Sequence, residues 1–236
     1  MSSEFFDLFQ RAQIINLPER EDRRMELRDE LDRADVTIDG QKIAFFSAVK
    51  PDSAGDFPSI GARGCFLSHL GVLRAARDAD LDLLLILEDD AHFGRTFLRQ
   101  QRSAMTALDG IDWDIFYAGY TPLAELIPTG PITAIPADFP LQTSHAMALR
   151  KPVIAAAIPY LEAILARPAG SPEGGPMHVD GAYNWFRAAY PQFRTVVATP
   201  QLITQRASRS DITPGAGWRE RLPLTGWLRR LKNRSA

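Results

Sequence analysis

The sequence predicts an α/β fold with a single, mostly parallel sheet flanked by helices, and two patterns support this prediction. Apolar segments with the length of strands recur along the chain, at residues 12–17, 43–48, 81–87, 113–118, 143–149 and 195–198. Longer segments between them have helical periodicity; in residues 65–79 apolar side chains recur at three-residue steps, at Leu67, Leu70, Leu73 and Ala76. Strands that alternate with helices are typical of a doubly wound sheet.

The first half of the chain is predicted to place two helices between its first three strands. Pro18 suits the first turn of a helix that we expect over residues 19–34. A glycine-containing loop then precedes the second helix, which we expect to begin at about Cys65 and to end at Ala79.

The second half is richer in proline and glycine. We expect three helices here, at residues 97–108, 152–165 and 179–190. Gly119 allows a tight turn after a strand. Residues 120–140 contain several prolines and are predicted to be loop with one short strand, whereas residues 167–176 are predicted to be wholly irregular.

Three consecutive acids, Glu88-Asp89-Asp90, end the apolar segment 81–87. Ligands of open α/β sheets gather at the carboxyl ends of strands, so this is where a functional site is expected. Because side chains alternate along a strand, Glu88 and Asp90 are predicted to share a face while Asp89 points away. A divalent cation bound to a nucleotide diphosphate would offset their mutual repulsion. The alternative is a strand that ends in a solvated acidic turn.

Composition excludes several classes of protein. The net charge of −2 argues against a dedicated nucleic-acid binder. Cys65 is the only cysteine, which excludes an intrachain disulfide and a thiolate metal cluster; we expect it to be a small buried apolar residue. No apolar stretch has the length of a membrane span. Residues 1–7 lack the basic and apolar regions of a signal peptide.

The end of the chain is basic. Residues 218–236 carry a net charge of +5, which leaves −7 for residues 1–217. Tryptophan and leucine side chains are interspersed among these cations, a pattern that suits the surface of an anionic membrane. A solvated or core-docked C-terminal helix is the alternative. We therefore divide the chain into a catalytic domain, 1–217, and a basic amphipathic tail, 218–236.

Four motifs, in order, resemble glycosyltransferase family 25, the group of lipopolysaccharide-biosynthesis proteins and procollagen galactosyltransferases. They are Ile15-Asn16-Leu17 with Arg20, Arg23 and Arg24; Gly61-Ala62-Arg63-Gly64-Cys65-Phe66-Leu67-Ser68-His69; Leu85-Ile86-Leu87-Glu88-Asp89-Asp90; and Asp180 with Ser210-Asp211-Ile212. The chain departs from the family at Ala62-Arg63 and over residues 120–180. The resemblance implies a GT-A (Rossmann-like) fold, a nucleotide-sugar donor and inverting transfer.

The family's chemistry assigns expected roles to the acids. Mn²⁺ or Mg²⁺ prefers oxygen ligands and would stabilise the charge of the leaving diphosphate. Asp90 is the expected direct ligand, and Glu88 or Asp89 is expected to hold the ribose or the water shell of the metal. Asp180 is the expected catalytic base for the acceptor hydroxyl, with a plain helix N-cap as the alternative. His178 is a rival base or a third metal ligand.

Other polar residues of the motifs have both a functional and a structural interpretation. Ser68 and His69, near the expected start of a helix, are predicted to contact the donor or acceptor, and otherwise to pack. Asn16 would lie near the nucleotide, and Arg20 near its phosphates. Arg23 and Arg24 are expected to form a solvated helix face. His145 is expected to be a satisfied core histidine. The partners of Arg206 and Arg209 are expected to be either a diphosphate or surface acids.

These features together predict a metal-dependent hexosyltransferase that uses a UDP-sugar, with UDP-galactose favoured because galactose is the family's usual donor sugar. The predicted acceptor is a hydroxyl of a bacterial surface glycan such as lipopolysaccharide. We expect a cytoplasmic protein, peripheral at the inner membrane through its tail. Two alternatives stay open: a degenerate sugar-nucleotide-binding or scaffold protein, and a metal-dependent phosphodiesterase or nuclease.

Overall fold

The computed structural model of the protein describes residues 4–206, which form a main sheet covered by helices on both faces and a small second sheet. The strands are β1 (Arg11–Asn16), β2 (Ile43–Ser47), β3 (Leu83–Glu88), β4 (Ala91–His92), β5 (Ile115–Pro122), β6 (Ile132–Ile135), β7 (Leu141–Arg150), β8 (Thr195–Ala198) and β9 (Thr204–Gln205). The helices are α1 (Glu4–Asp7), α2 (Glu21–Arg33), α3 (Ile60–Asp78), α4 (Arg95–Asp109), α5 (Lys151–Ala166) and α6 (Val179–Ala189).

Within residues 4–206 the main sheet has seven strands in the order β2-β1-β3-β7-β5-β8-β6. β1, β2, β3, β5 and β8 run in one direction, whereas β6 and β7 run in the opposite direction. β4 and β9 form a separate two-stranded sheet. The predicted class, an α/β domain of the GT-A (Rossmann-like) type with a mostly parallel sheet, is confirmed. β7 lies in the middle of the sheet and is buried along most of its length, so its sequence did not reveal its direction.

The apolar run of β3 is explained by cores on both faces of the sheet. Leu83, Leu85 and Leu87 pack with residues of α1, α2 and α4. Leu84 and Ile86 pack on the other face, with residues of α3, α5 and α6. Because successive side chains of a strand point to opposite faces, a strand covered on both faces is apolar at every position.

α3 begins five residues earlier than predicted, at Ile60. The Oγ of Ser59 caps it by accepting a hydrogen bond from the backbone N–H of Ala62 at 3.0 Å. Gly64 looked like a loop residue but lies within this helix, where a Cβ would approach the carbonyl oxygen of Val49 to 2.7 Å. The glycine therefore permits close packing of α3 against the chain after β2.

Gly119 is likewise not in a turn. It lies within β5 at an irregularity of the pairing with β7, and a Cβ there would approach Nε2 of His145 to 2.2 Å and the carbonyl oxygen of Ile203 to 2.5 Å. The predicted short strand in residues 120–140 is confirmed as β6, and α5 continues through Pro159.

The basic tail and the Ser210-Asp211-Ile212 motif, with Arg209, lie outside the described residues. The division of the chain at residue 217 accordingly stays a prediction. Within residues 4–206, no helix combines the length and the apolar character needed to cross a membrane.

Candidate active site

Two clefts open at the edge of the sheet where β1, β2 and β3 end, and Glu88, the first of the three acids, lies at their junction. The first, of about 400 Å³, is lined by the chain after β1 and β2, by the start of α3 and by all three acids; we call it the β2-side cleft. The second, of about 610 Å³, lies against the start of α6 and the start of β7; we call it the α6-side cleft. Glu88 and Cys65 line both.

The predicted alternation of the three acids is wrong, because β3 ends at Glu88 and the chain turns. Asp89 therefore does not point away from its neighbours and lines the β2-side cleft with them. Its Oδ2 accepts a hydrogen bond from Nδ2 of Asn16 at 2.9 Å, and its Oδ1 accepts one from the guanidinium of Arg23 at 2.8 Å. Both oxygens of Asp89 are thus held by groups of the protein itself.

Arg23 and Arg24 do not form the solvated face that the charged helix suggested. The side chain of Arg23 is only 11% exposed and pairs with Asp89. Arg24 donates from Nε to Oδ1 of Asn16 at 3.1 Å, and its guanidinium lies 4.8 Å from the ring centre of Phe45. Asn16 is consequently buried and bound on both sides, so it orients Asp89 rather than presenting a free amide to the cleft.

Arg206 binds the backbone of the acidic turn, residues 89–91. Its guanidinium donates to the backbone oxygen of Asp89 at 2.6 Å and of Ala91 at 3.2 Å, and its backbone N–H donates to the oxygen of Asp90 at 2.8 Å. It also lies 3.5 Å from the carboxylate of Glu26. Of the two partners that the sequence left open, a diphosphate or surface acids, the structure provides an acid together with backbone carbonyls.

Asp90 differs from Asp89 because its carboxylate is not held by a donor at every oxygen. Its Oδ1 is buried and has no hydrogen-bond partner among the described residues. Burial, followed by the charges of Glu88 and Asp89, raises the pKa of Asp90 to about 7, although Arg23 and Arg206 oppose the shift. A buried carboxylate oxygen beside two other acids fits an oxygen-preferring cation, so Glu88 and Asp90 are suitable ligands for Mn²⁺ or Mg²⁺.

Glu88 lies against His69, at the junction of the two clefts. Burial raises the pKa of Glu88, but the adjacent His69 outweighs burial, with smaller effects of His145 and Arg23, so the pKa lies below its ordinary value. Nε2 of His69 is 3.7 Å from Oε1 of Glu88, and its Nδ1 is 3.2 Å from the hydroxyl of Tyr183. Glu88 is therefore the carboxylate that stays ionised when Asp90 takes up a proton.

Ser68 and His69 lie in the third turn of α3, not at its start, so the backbone N–H groups of the helix N-terminus are not beside them. Ser68 lines the β2-side cleft. Its hydroxyl donates to the carbonyl of Gly64 at 2.6 Å and accepts from the N–H of Val49 at 2.8 Å. Ser68 thus links the chain just after β2 to α3.

Arg20 lines the same cleft and pairs with Asp22 at 2.9 Å.

Asp180 is the second residue of α6 and is not its N-cap. Its carboxylate lines the α6-side cleft, and it accepts hydrogen bonds from the N–H of Thr143 at 3.0 Å and from that of Gly181 at 2.8 Å. Thr143 has φ of +64°, a left-handed conformation that a β-branched residue rarely adopts. The bond to Asp180 helps to hold that conformation and thereby shapes the cleft wall.

His178 lines the same cleft, at the residue before α6. Among the described residues, the His, Cys, Asp and Glu side chains that bring ligand atoms within 4.8 Å of one another are Cys65, His69 and Glu88. Neither Asp90 nor His178 is in that group. His145 is a satisfied core histidine, as expected: its Nε2 lies 3.0 Å from the carbonyl oxygen of Ile203, and burial lowers its pKa.

We predict that Asp90 makes the metal-free protein less stable as the pH rises. Its pKa is about 7 when folded and about 4 when unfolded. Between these values the folded state binds a proton that the unfolded state has released, so the free energy of unfolding falls as the pH increases. Urea unfolding at pH 5 and pH 8 should show Asp90→Asn gaining stability relative to the wild type at the higher pH. Asp112→Asn, at an exposed site, is the control. An equal Asp90→Asn effect at both pH values would contradict the assignment.

Comparison with known proteins agrees with the motifs. Residues 9–120 match the family model described as glycosyltransferase family 25 (LPS biosynthesis protein). Procollagen galactosyltransferase 2 of Mus musculus is 38% identical over 61 residues, which are 25% of this chain and 10% of that protein. Procollagen galactosyltransferase 1-B of Xenopus laevis is 28% identical over 131 residues, 47% of this chain and 21% of that protein.

The chain thus spans only about a tenth to a fifth of the length of these curated relatives. A solved structure, a glycosyltransferase involved in the glycosylation of the major capsid of PBCV-1, is 13% identical with a TM-score of 0.48, covering 85% of this chain and 94% of that one. The resemblance indicated by the sequence motifs is confirmed over residues 9–120, a little under half of the chain, which match the model of glycosyltransferase family 25.

Proposed function

We propose that the protein is a metal-dependent, inverting glycosyltransferase that moves a hexose from a UDP-sugar to a hydroxyl of a glycan. The observation that carries this proposal is the buried Oδ1 of Asp90, which has no hydrogen-bond partner within residues 4–206 and belongs to a residue that lines a cleft at the carboxyl ends of parallel strands. The family match over residues 9–120 supports sugar transfer as the reaction. Galactose is favoured because the curated relatives are named as galactosyltransferases.

The β2-side cleft is the proposed donor site. Glu88 and Asp90 would hold Mn²⁺ or Mg²⁺, which supplies charge stabilisation for the leaving diphosphate. Arg20 and Lys50 line the same cleft; the side chain of Lys50 is 69% exposed and pairs with Glu19, whereas that of Arg20 is 22% exposed and donates to Asp22 through two nitrogens. Exposed ion pairs are weak, so Lys50 can turn readily towards phosphates when the donor binds, while Arg20 must exchange Asp22 for a phosphate. Asp89 has a positioning role, because Asn16 and Arg23 already hold its carboxylate.

The α6-side cleft is the proposed acceptor site. Asp180 would take the proton of the acceptor hydroxyl as it attacks the anomeric carbon. Its two backbone N–H partners fix the direction of the carboxylate, and among the described residues it has no ion-pair partner. The two clefts meet at Glu88, which suits attack from one side and departure of the diphosphate on the other. His178 is the rival base. The proposed acceptor is a bacterial surface glycan such as lipopolysaccharide, consistent with the family's description.

Replacing Asp90 tests the donor site. Asp90→Asn keeps the shape of the side chain but removes its charge, so Mn²⁺-dependent hydrolysis of UDP-galactose should fall by at least about 100-fold. Hydrolysis is followed by release of UDP, with Asp112→Asn as the matched control at an exposed site. Full activity of Asp90→Asn would rule out the metal role. Donor binding without turnover in the wild type would favour the sugar-nucleotide-binding scaffold.

Replacing Asp180 tests the base. The amide oxygen of Asp180→Asn can still accept the N–H of Thr143, so the cleft wall is retained while the proton acceptor is lost. We expect kcat for transfer to a glycan acceptor to fall by about 10²- to 10⁴-fold, with donor affinity unchanged. Gln replacing His178 is the comparison. A larger loss of kcat in His178→Gln than in Asp180→Asn would transfer the role of base to His178.

We also propose that the protein works at the cytoplasmic face of the membrane, held there by residues 218–236. The support is the net charge of +5 together with tryptophan and leucine side chains in that segment. Sedimentation with anionic liposomes should retain the full-length chain and should lose a chain that is truncated after Gly217. Equal binding of both chains would contradict the proposal.

A further inference from the structure

We propose that Cys65, His69 and Glu88 form a binding site for a thiophilic divalent cation of the Zn²⁺ class, at the junction of the two clefts. This site is different from the one assigned to Mn²⁺ or Mg²⁺, which uses carboxylates alone. The two sites share Glu88, so a cation bound to Cys65 and His69 withdraws Glu88 from the acidic turn. The binding of the cation stands on its own geometry, whereas its effect on sugar transfer rests on the proposed function.

The fold brings the three side chains together from two elements. Cys65 and His69 are four residues apart in α3 and therefore lie on the same face of the helix, while Glu88 is the last residue of β3. Their ligand atoms all lie within 4.8 Å of one another, and Nε2 of His69 is 3.7 Å from Oε1 of Glu88. Around a tetrahedral Zn²⁺ with bonds of about 2.0–2.3 Å, neighbouring ligand atoms are roughly 3.3–3.7 Å apart. Rotation of the Cys65 and Glu88 side chains can supply the remaining contraction.

His69 provides the second, independent indication of a ligand. Its side chain is fully buried, yet Nε2 has no hydrogen-bond partner among the described residues and is directed towards Glu88. Its other nitrogen, Nδ1, lies 3.2 Å from the hydroxyl of Tyr183. When Nδ1–H donates to that hydroxyl, the lone pair of Nε2 points into the site. Metal-binding histidines are commonly oriented in this way by a partner of the second nitrogen.

The set of donor atoms selects the class of cation. A thiolate, an imidazole and a carboxylate suit Zn²⁺, whereas Mg²⁺ and Mn²⁺ prefer oxygen ligands. Burial raises the pKa of the Cys65 thiol, with smaller contributions from Glu88 and Asp180, so the metal-free site carries S–H. As the metal–sulfur bond forms, the S–H bond breaks and the proton passes to solvent. Three protein ligands leave the fourth position of a tetrahedral ion to water.

The site is accessible from solvent. Cys65 and Glu88 line both clefts, so a cation can enter from either side. The sequence excluded a thiolate metal cluster, because such a cluster needs several cysteines. The structure shows that a single cysteine can instead be combined with a histidine and an acid.

Co²⁺ replacing Zn²⁺ as a spectroscopic probe gives a decisive test, because Cys65 is the only cysteine of the chain. The full-length protein, purified without a histidine tag, is titrated with CoCl₂. We expect one equivalent to produce thiolate-to-cobalt charge transfer and the intense visible bands of tetrahedral Co²⁺, both abolished by Zn²⁺. Any sulfur-to-cobalt band identifies Cys65 as the ligand. Weak octahedral bands alone in the wild type would overturn the proposal.

Two variants distinguish the loss of a metal ligand from a loss of folding. Cys65→Ser should lose the charge-transfer band and weaken Zn²⁺ binding at least about 10-fold. His92→Gln changes a histidine outside the site, half-exposed and paired with Glu30, and should leave both unchanged. Circular dichroism checks that each variant is folded. Equal Zn²⁺ affinity of Cys65→Ser and the wild type would also overturn the site.

The effect on sugar transfer has its own readout. The rate with Mn²⁺ and UDP-galactose is measured for each protein with and without Zn²⁺. Zn²⁺ should reduce the rate of the wild type by a larger factor than that of Cys65→Ser, each relative to its own zinc-free rate. Equal inhibition would contradict the withdrawal of Glu88 while leaving the spectroscopic site intact. The cobalt spectrum requires neither donor nor turnover, so failure of the metal site and failure of the proposed function are distinguishable.

Discussion

Repulsion among three consecutive carboxylates is the constraint around which this edge of the sheet is built. Glu88 ends a strand that is buried on both faces, and Asp89 and Asp90 follow it, in a place where charge is costly unless it is compensated. The three acids differ in the groups that stabilise their charge. Asn16 and Arg23 bind Asp89, and the ring of His69 lies beside Glu88. Asp90 has a raised pKa and a buried oxygen that no donor in the described part of the chain contacts, so it is the position at which a cation would act most strongly.

The same constraint explains why distant segments converge here. Arg23 comes from the helix after β1, and Arg206 comes from the end of the described chain and binds the backbone of the acidic turn. Parallel pairing of β1 with β3 brings Asn16 beside Asp89, because both strands end at the same edge. Sheet pairing and helix packing, and not sequence proximity, thus provide the partners that stabilise the three acids.

Much of the fold could be predicted from local pattern. β3 was recognisable because a run that is apolar at every position requires cover on both faces, and α6 could be placed after the irregular, proline- and glycine-rich segment 167–176. The start of α3 was missed because Gly61 and Gly64 indicated a loop. Gly64 is required instead for the approach of the helix to Val49, a tertiary contact that a local pattern does not encode.

The site was harder to predict for the same reason. A charged helix such as α2 looks solvated, since nothing local shows that Arg23 reaches an acid 66 residues away. The spacing of Cys65 and His69 was visible, but its meaning depends on the position of Glu88, which only the packing of α3 on the sheet supplies. Residue types at strand ends indicated where the site would be, and long-range contacts decided which of them are available to a ligand.

Calorimetry of nucleotide binding tests the central claim most directly, namely that the buried carboxylate of Asp90 recruits a cation together with a diphosphate. UDP-galactose, UDP-glucose, UDP-N-acetylglucosamine, GDP-mannose and CMP-sialic acid would be titrated into the full-length chain with and without Mn²⁺. The account predicts that a UDP-sugar binds in the presence of Mn²⁺ and that binding is largely lost without the metal or in Asp90→Asn. Binding of equal strength with and without Mn²⁺, unaffected by Asp90→Asn, would contradict it.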